Sequence, residues 1–165
     1  MTQIGPMQAF DHMPHPLIIV TAGDPDKPER RGGMTAAWAT RVSWDPPLIA
    51  VAFAPTRYTL HLIKEFGEFV VNVVGPSLKD AAFGVFGTRS GRDIDKFAAT
   101  GVKVVKARSV KAPVLADATV ALECKVEKMV EAGDHVVVIA RVVDAHKLKD
   151  EKPLVFLYGR AVPIQ

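Results

Sequence analysis

Residues 32–59 read GGMTAAWATRVSWDPPLIAVAFAPTRYT, and the spacing of their apolar positions predicts one long strand, a corner at Asp45-Pro46-Pro47 and a second strand. In the first strand Met34, Ala36, Trp38, Thr40, Val42 and Trp44 fall on one side. Thr35, Ala37, Ala39, Arg41 and Ser43 fall on the other, so the period of two sets a bulky face against a small one. A small face either lets a neighbouring element pack closely or leaves room for a flat molecule; taken alone, the strand favours close packing. The second strand, Leu48 to Ala54, is apolar or small at nearly every position, which predicts burial on both faces.

The same reading extends along the chain. Leu17 to Ala22 predicts a short buried strand, preceded by DHMPHP, whose two prolines oppose regular structure, and followed by the turn-rich loop GDPDKPERRGG. Tyr58 to Glu65 predicts a helix burying Leu60, Leu62 and Ile63, with Thr59 suited to its cap. Glu68 to Val74 returns to strand. Pro76 to Phe86 carries Leu78, Ala81, Ala82 and Val85 at helical spacing and is stopped by Gly87; GTRSGRDIDKF then leads into a turn of helix ending near Thr100.

Further on, Val120, Leu122, Cys124 and Val126 alternate with Thr119, Glu123, Lys125 and Glu127, until Lys128-Met129 breaks the phase and predicts a bulge. Gly133-Asp134 supplies a turn into a partner strand from His135 to His146, and Pro153 to Tyr158 forms a last strand. About seven strands joined mostly by short turns, with two or three short helices between them, predict a mainly β fold: a β-barrel with short helical insertions, one domain spanning residues 1–165.

Composition narrows the partners. Apolar residues make up 48% of the chain and charged ones 24%, a globular profile, and the net charge of +3 is too small to argue for nucleic acid. A modest positive field still favours an anionic small molecule. The single cysteine, Cys124, excludes an internal disulfide and a Cys-rich metal site, and it suggests a reducing compartment. The longest apolar run, Leu48 to Ala54, is far short of a membrane span, and the first residues show no basic start followed by an apolar stretch, so a cytoplasmic protein without membrane contact is expected.

Few residues offer catalytic chemistry of their own. Neither G-x-G-x-x-G after a strand, nor G-x-x-x-x-G-K-[ST], nor G-x-S-x-G occurs. Cys124 on an inward face reads as a small hydrophobe. His12 and His15 are separated by Pro14, which opposes the helix that would align them on a metal, and His61 reads as a surface histidine. Asp93 and Asp95 suit the N-terminal dipole of the following helix better than an acid-base pair. Two loops fit together better: Thr56, Arg57 and Thr59 after the buried strand, and Arg89, Ser90, Arg92 and Lys96 after the second helix. Guanidinium groups with hydroxyls and loop amides are the set that a phosphate monoester needs, although the same residues also describe a solvated charged loop.

Taken in order, MTAAW (Met34 to Trp38), S-x-DPPLIAVAFAP (Ser43 to Pro55), R-x-T (Arg57 to Thr59), GEFVVN (Gly67 to Asn72), SGRDIDKF (Ser90 to Phe97) and GDH (Gly133 to His135) resemble the flavin reductase-like family over nearly the whole chain. The resemblance implies an FMN-binding split β-barrel working as a homodimer, with the flavin near the subunit interface. By that likeness Met34, Thr35, Ala36, Ala37 and Trp38, together with Ala52, Phe53, Ala54 and Pro55, would offer backbone groups to the isoalloxazine edge. Arg57, Thr59, Ser90 and Lys96 would serve the phosphate and ribityl chain, and His135 would stand where nicotinamide docks. Many relatives carry Ser or Asn at the place of Ala37, so a side-chain bond to the ring is absent or backbone-only here. The implied activity is hydride transfer from NADH or NADPH to flavin N5, with electrons passing to a flavin, ferric or protein acceptor. The alternatives are an FMN-binding electron-transfer module, like a flavoredoxin, reduced by a protein partner, and a barrel that binds no flavin.

Overall fold

The stretch read as one strand from Met34 to Trp44 is two strands, and the break between them is the seam of the fold. In the computed structural model, which describes residues 1–165, β1 (His15–Pro16), β2 (Ile18–Gly23), β3 (Arg31–Ala36), β4 (Ala39–Ser43) and β5 (Leu48–Phe53) follow a short N-terminal helix, α1 (Pro6–Phe10). Next come α2 (Tyr58–Phe66), β6 (Glu68–Val73), α3 (Lys79–Ala81), a π-helical turn over Ala82–Phe86, and α4 (Lys96–Thr100). The chain ends with β7 (Val104–Lys106), β8 (Pro113–Leu115), the long hairpin β9 (Val120–Ala132) and β10 (His135–Lys147), and the short hairpin β11 (Leu154–Leu157) and β12 (Arg160–Pro163).

Seven strands form an antiparallel sheet in the order β3-β2-β6-β9-β10-β5-β4. Its two edges, β3 and β4, are consecutive in the chain, so Ala37 and Trp38 carry the backbone from one edge to the other. The sheet curls into a barrel that is closed there by covalent chain, giving a split barrel as expected. The crossing also changes the strand's phase. Met34 and Ala36 face the barrel interior, and after the break Ala39 does so too, while Trp38 turns outward at 51% exposure. The bulky and small faces read from the sequence therefore do not persist: the alternation restarts because the partner strand changes from β2 to β5.

Inside the barrel Ile18, Val20, Val51, Phe53, Phe69, Val71, Val138 and Ala140 are buried, and Leu60, Leu62 and Ile63 of α2 join this core. Leu17 and Ile19 of the β2 region point the opposite way, onto Leu78, Ala82, Phe86, Phe97 and Leu115. Strand β2 is thus covered on both faces, as its unbroken apolar run requires. The predicted bulge in β9 occurs slightly earlier than expected, between Val126 and Lys128 opposite Ala140 and Ile139. Helix α1 and strands β1, β7, β8 and β12 were not expected; β1 includes Pro16, despite the expectation that the DHMPHP prolines oppose regular structure. Thr59 lies inside α2, buried, and does not cap it; the N-cap position belongs to Arg57, whose side chain makes no capping bond.

Candidate functional site

A cavity of about 280 Å³ opens between β3, the start of α2 and the loop that follows the π turn. Its lining includes Met34 and Thr35 from β3, Thr56, Arg57, Tyr58 and Thr59 from the entrance to α2, Thr88, Arg89, Ser90, Gly91 and Arg92 from the loop, and Lys96 from α4. The two loops that the sequence paired on chemistry thus meet in space. No carboxylate lines the cavity, although the chain carries 18 of them, so the four cations face one another across it.

Local structure explains how they are held. A π turn displaces the normal helical bonding by one residue and leaves carbonyls free. Here Ala82 O accepts from Thr35 Oγ1 at 2.5 Å, Gly84 O from Thr88 Oγ1 at 2.6 Å, and Phe86 O from Lys96 Nζ at 3.2 Å. Lys96 also donates to Gly33 O at 2.7 Å. The lysine is only 4% exposed and has no carboxylate partner; burial, with Arg57 adding repulsion, lowers its pKa to about 8. Asp95 caps α4 through Phe97 N and forms a paired bond with Arg31, at 2.7 and 3.3 Å, which fixes the helix that presents Lys96. The reading of Asp95 as a helix-start residue holds, and its Arg31 partner was missed.

The loop approaches α2 closely because Gly91 has no side chain: a Cβ there would stand 2.6 Å from Cδ1 of Tyr58. Arg92 then lies over the Tyr58 ring at 5.2 Å and donates to Thr56 O at 3.0 Å. The N-terminus of α2, Arg57 to Thr59, lines the same space and brings the positive end of a helix dipole to it. Guanidinium groups, hydroxyls, a helix N-terminus and a buried ammonium are the chemistry that a phosphate-bearing ligand calls for.

From Met34 and Thr35 the surface continues along the seam to Trp38. Ala52 N donates to Trp38 O at 2.9 Å and Arg57 N to Ala54 O at 3.1 Å, so the two segments expected to face a flavin lie side by side. Their side chains divide. Ala36 and Phe53 point into the core, Ala37 and Ala54 are half-buried, and Pro55 is exposed. His135, at the start of β10, lies outside the cavity but packs on Trp38, with ring centroids 4.5 Å apart. Its Nδ1 is 2.7 Å from Asp134 Oδ1. The carboxylate can only accept, so Nδ1 carries the proton and Nε2 is left as the acceptor in the neutral ring. The hydrogen bond from His135 holds the Asp134 carboxyl below its usual range.

The other candidates fall away from this band. His61 is exposed on α2, His12 bonds to the Tyr158 hydroxyl, and His15 sits in a short strand beside Phe156. Cys124 is fully buried and burial pushes its thiol up to about 12, which makes it inert. The polar face assigned to Glu123 is incorrect: the residue is fully buried, because the 107–111 loop folds over β9 and covers it. Glu123 accepts from the amides of Arg108, Ser109 and Val110 and meets His146 Nε2 at 2.5 Å. Strict alternation gave no sign of this, since a carboxylate beside Thr and Lys reads as solvent-facing.

Comparison with known proteins agrees with the fold and the family. The Flavin reductase like domain family matches residues 10–165. An uncharacterised protein of Aeropyrum pernix is 36% identical over 91% of this chain, which spans 56% of that relative's length. Among solved structures, the flavoredoxin of Desulfovibrio vulgaris (Miyazaki F) superposes with a TM-score of 0.79 at 28% identity, covering 92% of this chain and 88% of that one. The NADH:FAD oxidoreductase SgcE6 of Streptomyces globisporus C-1027 superposes with a TM-score of 0.87 at 24% identity, covering 100% and 98%, and at that identity it shows the fold alone. With the split barrel and the family match over nearly its full length, the chain belongs to the flavin reductase-like family.

Proposed function

We propose that this protein is an FMN-binding, NAD(P)H-dependent oxidoreductase of the flavin reductase type, passing electrons onward to an acceptor. The observation that carries the reading is the carboxylate-free cavity in which Arg57, Arg89, Arg92 and the unpaired, buried Lys96 converge with Thr59 and Ser90. A buried ammonium bonded only to carbonyls is costly unless an anion completes it, and a phosphate does so. The residues present therefore fit FMN. Arg57, Thr59, Ser90 and Lys96 would hold the phosphate and ribityl chain, and the backbone of Met34 to Trp38 and Ala52 to Pro55 would lie along the ring.

Bound FMN would supply the hydride and single-electron chemistry. The chain's own residues bind, orient and exclude water. His135, its Nδ1 tied to Asp134 and its ring steadied by Trp38, offers Nε2 to a docking nicotinamide. No side-chain nucleophile or general base is required. The protein is expected to act in the cytoplasm as a homodimer. Val42, Trp44 and Val143, exposed around the Asp45–Pro47 corner, supply an apolar surface for the partner copy, and Trp44→Asp should shift the sedimentation mass toward the monomer.

Anaerobic mixing of the FMN-loaded protein with NADH and with NADPH tests the reading. Rapid loss of flavin absorbance with either supports the reductase. A second reading, an electron-transfer module reduced by a protein partner, is favoured by the likeness to flavoredoxin; it predicts no bleaching with either nicotinamide. A protein that takes up no FMN overturns both.

A further inference from the structure

The side of β9 that carries Glu123 gathers a second set of functional groups, none of which lines the cation cavity. Leu122, Cys124 and Val126 pack into the barrel core, so Glu123, which alternates with them, points to the outer side of the sheet. In β10, strand parity alone would send Asp144 the same way as Val142, toward the barrel core. The register instead steps from Val142 opposite Cys124 to Asp144 opposite Glu123, which makes Val143 an extra residue. That bulge turns Asp144 and His146 onto the face of Glu123.

The two carboxylates converge on one ring nitrogen. His146 Nε2 is 2.5 Å from Glu123 Oε2 and 3.6 Å from Asp144 Oδ2, and one ligand atom from each residue lies within 4.8 Å of the others. A single ring proton serves only the nearer oxygen, since 3.6 Å is too long for a hydrogen bond. Both carboxylates are also held from outside. Glu123 Oε1 accepts from the Ser109 and Val110 amides at 2.6 and 3.1 Å, and its Oε2 accepts from the Arg108 amide at 3.1 Å. Asp144 accepts from the Ser109 hydroxyl at 3.1 Å and from its neighbour Ala145 N at 2.9 Å. Outer partners of this kind orient the carboxylates of metal sites. The Arg108 charge acts on Asp144, while Lys111 and Lys125 pair with Asp24 and Glu68. Two carboxylates against one guanidinium leave a net negative charge beside a neutral imidazole.

We propose that Glu123, Asp144 and His146 bind a divalent first-row transition ion of the Zn²⁺ class. One imidazole nitrogen with two carboxylate oxygens suits such an ion, whereas Mg²⁺ and Ca²⁺ favour oxygen alone. With bonds of about 2.1 Å, neighbouring ligands of a tetrahedral ion stand about 3.4 Å apart. The Asp144–His146 spacing of 3.6 Å is close to this. The Glu123–His146 spacing opens by about 0.9 Å as the ion takes the place of the Nε2 proton, which Nδ1 then carries. His146 is the ligand that moves: its side chain is 19% exposed at the rim of the site, whereas that of Glu123 is fully buried at its floor. Water completes the fourth position. The bound ion would fasten the 107–111 loop, which grips both carboxylates, to the β9–β10 hairpin.

Equilibrium dialysis of the full chain, cleared of metal by a chelator, against Zn²⁺ and against Mg²⁺ tests the site by binding and not by turnover. A failure here is therefore distinguishable from a failure of the FMN reading. One Zn²⁺ per chain is expected, bound at least a hundredfold tighter than Mg²⁺, with a melting temperature that rises as Zn²⁺ is added. Asp144→Asn, and His146→Gln, which keeps a donor toward Glu123, should each weaken Zn²⁺ binding at least tenfold with the circular dichroism spectrum unchanged. His61→Gln, on the exposed side of α2, should leave binding as it was. Absence of saturable Zn²⁺ binding, binding that survives both site variants, or binding lost in His61→Gln overturns the proposal and leaves Glu123 and His146 as a proton-sharing pair only.

Discussion

Trp38 and His135 meet with ring centroids 4.5 Å apart and planes inclined by 38°, joining the barrel seam to the tip of the longest hairpin. The contact positions the histidine, while the Asp134 carboxylate sets which nitrogen carries its proton. His135→Ala should therefore slow nicotinamide-driven flavin reduction by about tenfold or more, as expected for a lost positioning group, and change FMN affinity by less than threefold. Stopped-flow reduction and flavin titration check the split; equal loss of both would show that His135 serves flavin binding instead.

In the proposed phosphate site, Lys96 sets a pH dependence of known sign. Its folded pKa is lowered from 10.5 to about 8, so between these values the unfolded chain holds a proton that the folded chain lacks. The cost of burying the charge is fully present below about pH 8, and ligand-free stability from this group rises with pH across that window. Phosphate binding runs the other way, because it needs the ammonium. FMN affinity should fall as pH passes 8 in the natural protein, whereas Lys96→Met should bind about tenfold more weakly at pH 7 and lose that pH step, by fluorescence titration.

Glu123 predicts where acid unfolds the protein. Burial by itself would raise this carboxyl, but bonds from the Ser109 and Arg108 amides, from His146 and from the Val110 amide outweigh it and hold the pKa below its ordinary value. A depressed carboxylate contributes stability above its unfolded pKa of about 4.3 and loses it as pH falls below that. Glu123→Gln turns an amide NH₂ toward backbone N–H donors and should cost about 3 kcal/mol at pH 7, with a flatter acid limb in a denaturation series.

Gly91 tests the approach of the loop to α2. A Cβ placed 2.6 Å from the Tyr58 ring must displace either the ring or the loop. Overpacking of this kind costs about 1–3 kcal/mol, so Gly91→Ala should lower the melting temperature and weaken FMN binding together. Gly84→Ala is the control, since nothing lies within 4 Å of its added Cβ, and both measurements should stay near those of the unaltered protein.

The chain by itself determined most strands of the seven-stranded sheet, the apolar face of α2, the inert burial of Cys124, and the cation and hydroxyl set around Arg57 and Ser90. All follow from short-range periodicity and residue chemistry, which a linear reading retains. Only the tertiary structure decided where Met34 to Trp44 breaks, because the change of partner from β2 to β5 is a property of sheet closure and leaves no mark in the alternation. The same holds for Glu123, polar in pattern yet buried once a distant loop covers it, and for its meeting with Asp144 and His146 across the β9–β10 register. These depend on pairings between residues far apart in sequence, and nothing local to any one of them specifies its partner.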